Sequence, residues 1–415
     1  MTEDLFGIDR EKKILVSGVR KKFRPHEPIN AAGLFFGRQG EVQRIMECMS
    51  TPGLHALLFG DRGVGKSSLA NIASQVLLNK FVKGKGTTLR CDSMTTYDSL
   101  ARRVLHAFGI EIDGAAQTHS RTEGGEAGVG LPGVAKGGIS TSTTVTSSRE
   151  ALPADLSPSR VAELLAGKAG LVVIDEFDAI PDAAHRRSLA EVMKLLSDSS
   201  SDVKLLVVGV AGSAHDLLAG HPSVQRNLRE VELPKMSDTE IERIVSGNAK
   251  ACGLTFDFRV VEEIVELSAG YPHFAQLLGL ACAESAVADD RRSVEARDMQ
   301  AALVVATHNA EESLRRAYGN AVRSATTEGF RDVLHAAASL NAIEFTAAEW
   351  RNAIAERTGD SMPQNRLNNY LQRLVADDNS RVLLRVHQGM YRFTDPRMRS
   401  YARIVDRSGE GHTLA

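Results

Sequence analysis

Residues 60–67 carry the clearest chemistry in the sequence. They read Gly-Asp-Arg-Gly-Val-Gly-Lys-Ser. Glycines in such a loop let the backbone wrap closely around phosphates, while successive N–H groups and a helix N-terminus point at the anion. Lys66 would reach the β- and γ-phosphates, and Ser67 would ligate Mg²⁺. The predicted nucleotide-binding residues of this loop are Gly60, Asp61, Arg62, Gly63, Val64, Gly65, Lys66, Ser67 and Ser68.

The flanks of the loop decide between a phosphate site and a chance glycine-rich turn. The apolar run His55–Phe59 precedes it, and a helical pattern over 67–79 follows it. A strand, the loop and a helix in that order are the context that the motif requires. The sequence therefore predicts a P-loop that binds ATP together with Mg²⁺.

A second motif, residues 171–176, is an apolar run that ends in two carboxylates, Asp175 and Glu176. In this Walker B pattern, Asp175 would hold Mg²⁺ through water and Glu176 would act as general base on the attacking water. A strand that ends in a solvated turn is the alternative, and the upstream P-loop favours hydrolysis. We predict Glu176 and Lys66 as catalytic residues, and Ser67 and Asp175 as metal ligands.

The composition limits the class of protein. The chain has 415 residues, a net charge of −2 and 25% charged residues, which is ordinary for a soluble multidomain protein. Its four cysteines form no CxxC pair, which indicates a reducing compartment. The first residues are acidic, and no apolar run approaches the roughly 20 residues that span a bilayer. These features predict a cytoplasmic protein without a membrane segment.

The elements that must position the two motifs follow from periodicity. Short apolar runs at 171–174 and 205–210 are typical of strands buried on both faces of a parallel sheet, and they alternate with helical stretches. Residues 113–153 are rich in Gly, Ser and Thr, as in a flexible insertion or a loose hairpin at 138–147. The predicted organisation is an N-terminal arm at 1–31, an α/β ATPase core at 32–233 with that insertion, a helical lid at 234–312 and a winged-helix domain at 320–408.

Together these motifs resemble AAA+ ATPases, in the branch shared by origin-recognition initiators and STAND signalling ATPases. The segment 35–41, Phe-Phe-Gly-Arg-Gln-Gly-Glu, looks like the box that borders the adenine in that family, which implies roles for Phe35 and Arg38. An ordinary helix start is the alternative for this segment. The resemblance implies an α/β P-loop NTPase fold with a parallel sheet flanked by helices.

Two further positions follow from the resemblance. The strand at 204–210 looks like the sensor-1 strand, and Ser213 is the only polar candidate at its end because the usual asparagine is missing. Gly270-Tyr271-Pro272-His273 resembles the GxP motif of STAND-like lids, so Pro272 and His273 would lie at the nucleotide. His273 stands where initiators carry a sensor-2 arginine. A lid histidine with no nucleotide contact is the alternative.

The segment 221–229 lies where the family carries an arginine finger. The resemblance implies that Arg226, or alternatively Arg229, completes the site of a neighbouring subunit. A surface salt bridge is the other interpretation of either residue.

The C-terminal pattern of helices followed by a hairpin predicts the winged helix. Leu367, Tyr370, Leu371 and Leu374 recur with helical spacing and would face the core. Residues 363–405 contain eight arginines and three aspartates, a local net charge of +5. This charge favours double-stranded DNA, whereas a protein contact or a lid on the ATPase is the alternative. The predicted DNA-binding residues are Gln364, Asn365, Arg366, Asn369, Arg373 and Arg385.

These observations predict an AAA+ protein that binds and hydrolyses ATP. It would couple nucleotide state to DNA binding or to assembly, as a homo-oligomer or with a partner protein. A STAND-like signalling or defence switch, whose winged helix contacts protein rather than DNA, is the alternative. A regulator of transposition or phage defence is a third hypothesis.

Overall fold

The computed structural model describes residues 7–80, 82, 84–112, 156–210, 222–323, 329–375 and 381–409. The predicted insertion at 113–153 and the sensor candidate Ser213 lie outside the described residues.

A parallel sheet forms the centre of the core, as predicted. Its five strands are β1 (His55–Phe59), β2 (Lys85–Arg90), β3 (Ala169–Asp175), β4 (Asp202–Gly209) and β5 (Leu228–Glu232). They lie in the order β2-β3-β4-β1-β5. The apolar runs of β3 and β4 occupy interior positions because their side chains are buried on both faces. Strand β5 was not predicted, since its sequence Leu-Arg-Glu-Val-Glu alternates polar and apolar residues, as an edge strand does.

Helices cover both faces of this sheet. Alternate residues of β3 divide between the two faces: Leu171 and Val173 pack with one set of helices, Val172 and Ile174 with the other. The first set is Gln39–Ser50 and the P-loop helix, Lys66–Lys80. The second set is Tyr97–Ala107, Pro158–Leu165 and Ala183–Asp198.

The lid follows the core and is helical, as predicted, with one addition. Thr255–Phe256 (β6) and Ser293–Val294 (β7) form a small parallel pair that periodicity alone could not reveal, because each strand has two residues. The lid helices are Asp238–Ala251, Phe258–Ser268, Pro272–Ala288 and Ala296–Asn309.

The N-terminal arm is helical over Ile8–Ser17 and Val19–Lys22 and packs on the lid. Ile14, Val19 and Phe23 are buried in one cluster with lid residues. The arm is therefore fastened to the lid by apolar burial.

The C-terminal segment contains three strands, β8 (Glu344–Thr346), β9 (Leu383–His387) and β10 (Met390–Phe393). They form an antiparallel sheet in the order β8-β10-β9. The order helix, strand, two helices and hairpin is what the winged-helix prediction requires, and the assignment as a winged helix stays a prediction. Its helices are Gly329–Ser339, Ala347–Thr358, Gln364–Leu374 and Met398–Ser408, and Glu312–Val322 connects it to the lid.

Among the described residues, no helix has both the length and the apolar character needed to cross a membrane.

Candidate nucleotide-binding site

The P-loop follows β1 directly and depends on its glycines. Gly60 has φ +157°, and a Cβ there would lie 2.3 Å from the carbonyl oxygen of Leu233. Gly63 has φ +83°, and its Cβ would lie 2.6 Å from Cδ of Arg397. Neither position has room for a side chain. Both glycines are therefore required by their backbone conformation and by the close approach of neighbouring atoms.

Lys66, the first residue of the P-loop helix, folds back over its own loop. Its Nζ donates hydrogen bonds to the carbonyl oxygens of Gly60 at 3.0 Å and Asp61 at 2.8 Å. Burial lowers the pKa of this ammonium group, and nearby carboxylates, Asp178 and Asp175 first, oppose that shift. A bound phosphate would offer the ammonium a charged acceptor in place of two neutral ones.

The second predicted motif ends where β3 meets this loop. Asp175 is 5% exposed, and its Oδ1 accepts a hydrogen bond from the Glu176 backbone N–H at 3.0 Å. Glu176 is exposed and adopts a left-handed conformation, φ 57° and ψ 38°. That conformation is uncommon for a residue other than glycine and costs on the order of 1 kcal/mol. It turns the chain sharply at the point where both carboxylates reach the cavity.

A cavity of about 670 Å³ lies between the core, the lid, the arm and the C-terminal segment. This volume is within the range of small-molecule sites. The structure brings together there most of the predicted site residues: Phe35, Arg38, Arg62, Gly63, Val64, Gly65, Lys66, Ser67, Ser68, Asp175, Glu176, Pro272 and His273. Residues that the sequence did not single out also line it, among them Pro25, Ile29, Asp178, Met236, Ile244, Gln276, Glu311 and Arg397.

The donor set fits a magnesium nucleotide. Ser67 is half-buried in the first turn of the P-loop helix and lines the cavity, and Asp175 borders the same cavity. Hydroxyl, carboxylate and phosphate oxygens are the ligands that Mg²⁺ prefers. Ser67 and Asp175 are therefore suited to hold the ion.

Phe35 and Arg38 of the segment 35–41 also line the cavity. Phe35 is half-buried at the cavity, near the apolar Met236 and Ile244. Arg38 is 5% exposed; its guanidinium donates to the carbonyl oxygen of Pro234, and its backbone N–H donates to Glu240 at 3.1 Å. Arg38 therefore chiefly fastens the start of the lid to the core, and the contact of Phe35 with the adenine stays a prediction.

The arm supplies part of the site, which composition alone did not reveal. The backbone N–H of Ile29 donates to Ser68 Oγ at 3.0 Å, and that of Arg24 donates to Gln276 Oε1 at 3.1 Å. Ser68 is thus engaged with the arm. Residues 24–29 connect the lid to the P-loop helix across the cavity.

His273 lies in the cavity on the first turn of the lid helix Pro272–Ala288. Its Nδ1 lies 2.9 Å from the carbonyl oxygen of Pro25, to which a protonated Nδ1 donates. Burial lowers the pKa of this imidazole, although the bond to Pro25 opposes the shift. The neutral ring then presents an acceptor at Nε2, so a contact with phosphate requires a further proton.

The two arginine-finger candidates do not border the cavity of their own chain. Arg226 lies in a 3-10 turn, Pro222–Asn227, and pairs with Asp198 at 3.0 Å while two-thirds of its side chain is exposed. Arg229 is exposed on β5. The ion pair with Asp198 agrees with the salt-bridge interpretation of Arg226. The exposed side chain of Arg226 is also accessible to a second subunit.

The predicted basic surface of the C-terminal segment needs a correction. Arg397 and Arg399 are 3% and 4% exposed. Arg403 donates to the carbonyl oxygens of Ala338 and Ser339 at the end of a helix. These three arginines are engaged in contacts within the protein. The local net charge of +5 therefore overstates the positive charge available to DNA.

The prediction that Arg373 binds DNA also needs a correction, because its side chain does not point outward. It is half-buried, donates to the carbonyl oxygen of Asn320 and lies 4.7 Å from the ring centroid of Phe330. The core-facing prediction is confirmed, since Leu367, Tyr370, Leu371 and Leu374 are all buried. The remaining predicted DNA residues are exposed: Gln364, Asn365, Arg366, Asn369 and Arg385.

The sheet order, the P-loop after β1 and the paired carboxylates at the end of β3 define a P-loop NTPase. Residues 23–376 match the family described as Novel STAND NTPase 1, and the chain belongs to this family. The expected recognition as a STAND-like P-loop ATPase is thereby confirmed. No curated protein matches the sequence significantly.

Three solved structures resemble this chain at low sequence identity. A Walker-type ATPase of Pyrococcus abyssi is 20% identical with a TM-score of 0.48, covering 91% of this chain and 99% of that one. The Aeropyrum pernix ORC1 protein in complex with DNA is 16% identical with a TM-score of 0.49, covering 94% and 96%. The Thermotoga maritima RuvB branch migration motor is 14% identical with a TM-score of 0.45, covering 88% and 95%. We draw no functional conclusion from similarity at this level.

Proposed function

We propose that this protein binds ATP with Mg²⁺ and hydrolyses it. The observation that carries the proposal is the convergence of Lys66, Ser67, Asp175 and Glu176 on one cavity from two separate strand ends. A lysine and backbone N–H groups bind phosphate, and a carboxylate beyond the metal ligand suits an attacking water. The phosphate-binding groups, the metal ligands and the base for phosphoryl transfer to water each have a candidate in this arrangement.

The residues divide the work by position. Lys66 gives up its two carbonyl acceptors and binds the phosphates, where its charge offsets their negative charge. Magnesium held by Ser67 and Asp175 would neutralise further charge on the phosphates. Glu176 orients a water and accepts its proton. Asp178 also lines the cavity, so it is the alternative candidate for the general base.

The lid and the C-terminal segment are the parts of the chain that would respond to the bound nucleotide. Both border the cavity through His273, Glu311 and Arg397, so a change at the phosphates reaches both. We infer that nucleotide state governs double-stranded DNA binding or assembly through the C-terminal segment. The exposed Arg366 and Arg385 support DNA.

A second candidate is a STAND-like signalling or defence switch that contacts a protein partner. The burial of Arg397 and Arg399 favours it, since these arginines serve internal contacts instead of a DNA surface. Under this candidate the exposed Gln364, Asn365 and Asn369 form a polar protein-binding face. A role in transposition or phage defence is compatible with either output.

The experiment that tests ATP binding uses a fluorescent ATP analogue with Mg²⁺ and the full chain. Lys66→Ala should weaken binding by tenfold or more, on the order expected for a buried charge-assisted contact with phosphate. Lys80→Ala is the matched control, because Lys80 is exposed at the far end of the same helix and should bind as the wild type does. Equal affinity in Lys66→Ala and the wild type would remove the P-loop from the proposal.

A further inference from the structure

Arg397 lies against the P-loop although it comes from the far end of the chain. It directly precedes the C-terminal helix Met398–Ser408, is 3% exposed and borders the cavity. Its side chain occupies the space beside Gly63, where a Cβ would lie 2.6 Å from Cδ of Arg397. A glycine in the middle of the phosphate loop is therefore what admits this arginine.

Carboxylates hold the guanidinium in this position. Asp395, two residues earlier, accepts from Nε at 3.1 Å and from Nη2 at 2.8 Å, and also from the Arg397 backbone N–H at 2.9 Å. Glu311 accepts from Nη1 at 2.7 Å. Asp395 is local to Arg397, so it sets the orientation of the side chain, whereas Glu311 comes from the lid connection.

The charges explain why the arrangement is stable without a ligand. Burial disfavours the guanidinium charge, but the hydrogen bonds with Asp395 and Glu311 outweigh it and raise the pKa of Arg397. The bond from Arg397 in turn lowers the pKa of Glu311. A buried arginine with this pairing remains a cation at any pH at which the protein is folded.

A bound nucleotide would change the balance of charges around Arg397 and Glu311. Its phosphates bring several negative charges to the loop that contains Gly63, and the Glu311 carboxylate, 42% exposed, is then a like charge beside them. A guanidinium binds phosphate through charge-assisted hydrogen bonds at least as well as it binds a carboxylate. Glu311 can move into solvent, whereas Asp395 keeps its local contact with Arg397.

We propose that Arg397 binds a phosphate of the nucleotide at the P-loop, in exchange for the carboxylate of Glu311. This inference rests on the proposed ATP site and adds to it a phosphate-binding residue from the C-terminal segment. Loss of the Glu311 bond releases the lid connection, while the bond to phosphate draws the C-terminal helix to the nucleotide. Nucleotide state and the position of the C-terminal segment are then linked by one side chain.

The test compares two variants for which the proposal requires opposite effects. Fluorescent ADP, ATP and adenosine are titrated into the full chain with Mg²⁺. Arg397→Ala should weaken ADP or ATP binding by on the order of tenfold and leave adenosine unchanged, because only the phosphate contact is lost. Glu311→Gln should tighten ADP or ATP binding by about two- to fivefold, because the competing carboxylate is gone.

The control is Arg407→Ala, on the same C-terminal helix. Arg407 is exposed and pairs with Glu263 at 3.1 Å, so its variant should bind all three ligands as the wild type does. Thermal unfolding of each variant establishes that it is folded. If Arg397→Ala does not fold, Glu311→Gln decides alone, and tighter binding of ADP or ATP supports the proposal.

The outcomes separate this inference from the proposed function. A wild-type chain that binds no nucleotide overturns the ATP site and Arg397 with it. If the wild type binds, unchanged ADP and ATP affinity in Arg397→Ala overturns only the role of Arg397. Weakening by both variants, or no tightening in Glu311→Gln, identifies Arg397 as a structural latch instead.

Discussion

Glu176 is the residue on which hydrolysis depends. Its left-handed backbone places the side chain beyond the end of β3, whereas Asp175 remains 5% exposed at the strand end. The two neighbouring carboxylates therefore occupy different environments. This difference supports different roles, with one as metal ligand and the other as base.

Replacement of Glu176 by Gln tests that assignment. The amide cannot accept a proton, so turnover should fall by about 100-fold or more while the affinity for ATP is kept. Asp178→Asn is the control, because Asp178 borders the same cavity and carries the same charge. Turnover that falls only in Asp178→Asn would transfer the base role to Asp178.

The sequence identified the residues of the P-loop and of the strand end because their spacing is local. It did not identify the use of Arg397, which was counted toward DNA. Arginine in a basic segment looks the same whether it faces solvent or a loop more than 300 residues away. Gly63 gave no separate signal, since its φ of +83° already favours glycine whether or not Arg397 lies beside it.

At the scale of elements, the sheet was predictable where strands are buried on both faces. Strands β3 and β4 are continuous apolar runs, and such runs have few other interpretations. The edge strand β5 and the short strand β8 were missed, because a few residues with mixed polarity do not set a period. The arm was predicted as an extension but not as a wall of the site, since its contacts with Ser68 and Gln276 are made by backbone groups.

The helix Gln364–Leu374 carries the prediction of DNA binding. A double substitution, Arg366→Glu with Arg385→Glu, should abolish most duplex binding and should reduce the slope of log affinity against log salt by about one per lost phosphate contact. Fluorescence anisotropy with labelled duplex DNA measures both quantities. Both side chains are exposed, so the fold should persist.

The control for charge is Arg243→Glu, on an exposed face of the lid helix Asp238–Ala251. It changes the net charge in the same direction away from the C-terminal segment. Duplex binding that falls equally in the control indicates a general charge effect. Absence of salt-dependent binding in the wild type would favour the protein-partner alternative.

At the scale of the whole molecule, the cavity is bounded by four parts of the chain. The core supplies the P-loop, while the lid, the arm and the C-terminal segment supply His273, Pro25 and Arg397. A ligand that contacts all four would favour one relative arrangement of them, which is a population shift. This arrangement supports the proposal that nucleotide state governs the C-terminal segment.

Arg226 allows a test of whether a second subunit completes the site. If it acts in trans, Arg226→Ala should lower turnover by on the order of 1000-fold without loss of ATP affinity. Mixing it with Lys66→Ala subunits, which keep Arg226, should restore part of the turnover. Light scattering of the mixture with ATP establishes whether an oligomer forms.

Two results would contradict the trans role. Full turnover in Arg226→Ala would show that Arg226 is not needed for hydrolysis, and its only remaining role would be the ion pair with Asp198. Reduced turnover without restoration in a mixed oligomer indicates a role within its own chain, and Arg229→Ala then tests the alternate residue.

The central claim is that Lys66, Ser67, Asp175 and Glu176 form a magnesium-dependent ATPase site. Phosphate release from ATP by a molar equivalent of the full chain, with Mg²⁺ and then with excess chelator, tests it most directly. The account predicts release that stops when Mg²⁺ is removed and that is absent in Lys66→Ala. Release that continues with chelator, or that is equal in Lys66→Ala, or no release at all from the wild type with Mg²⁺, would contradict it.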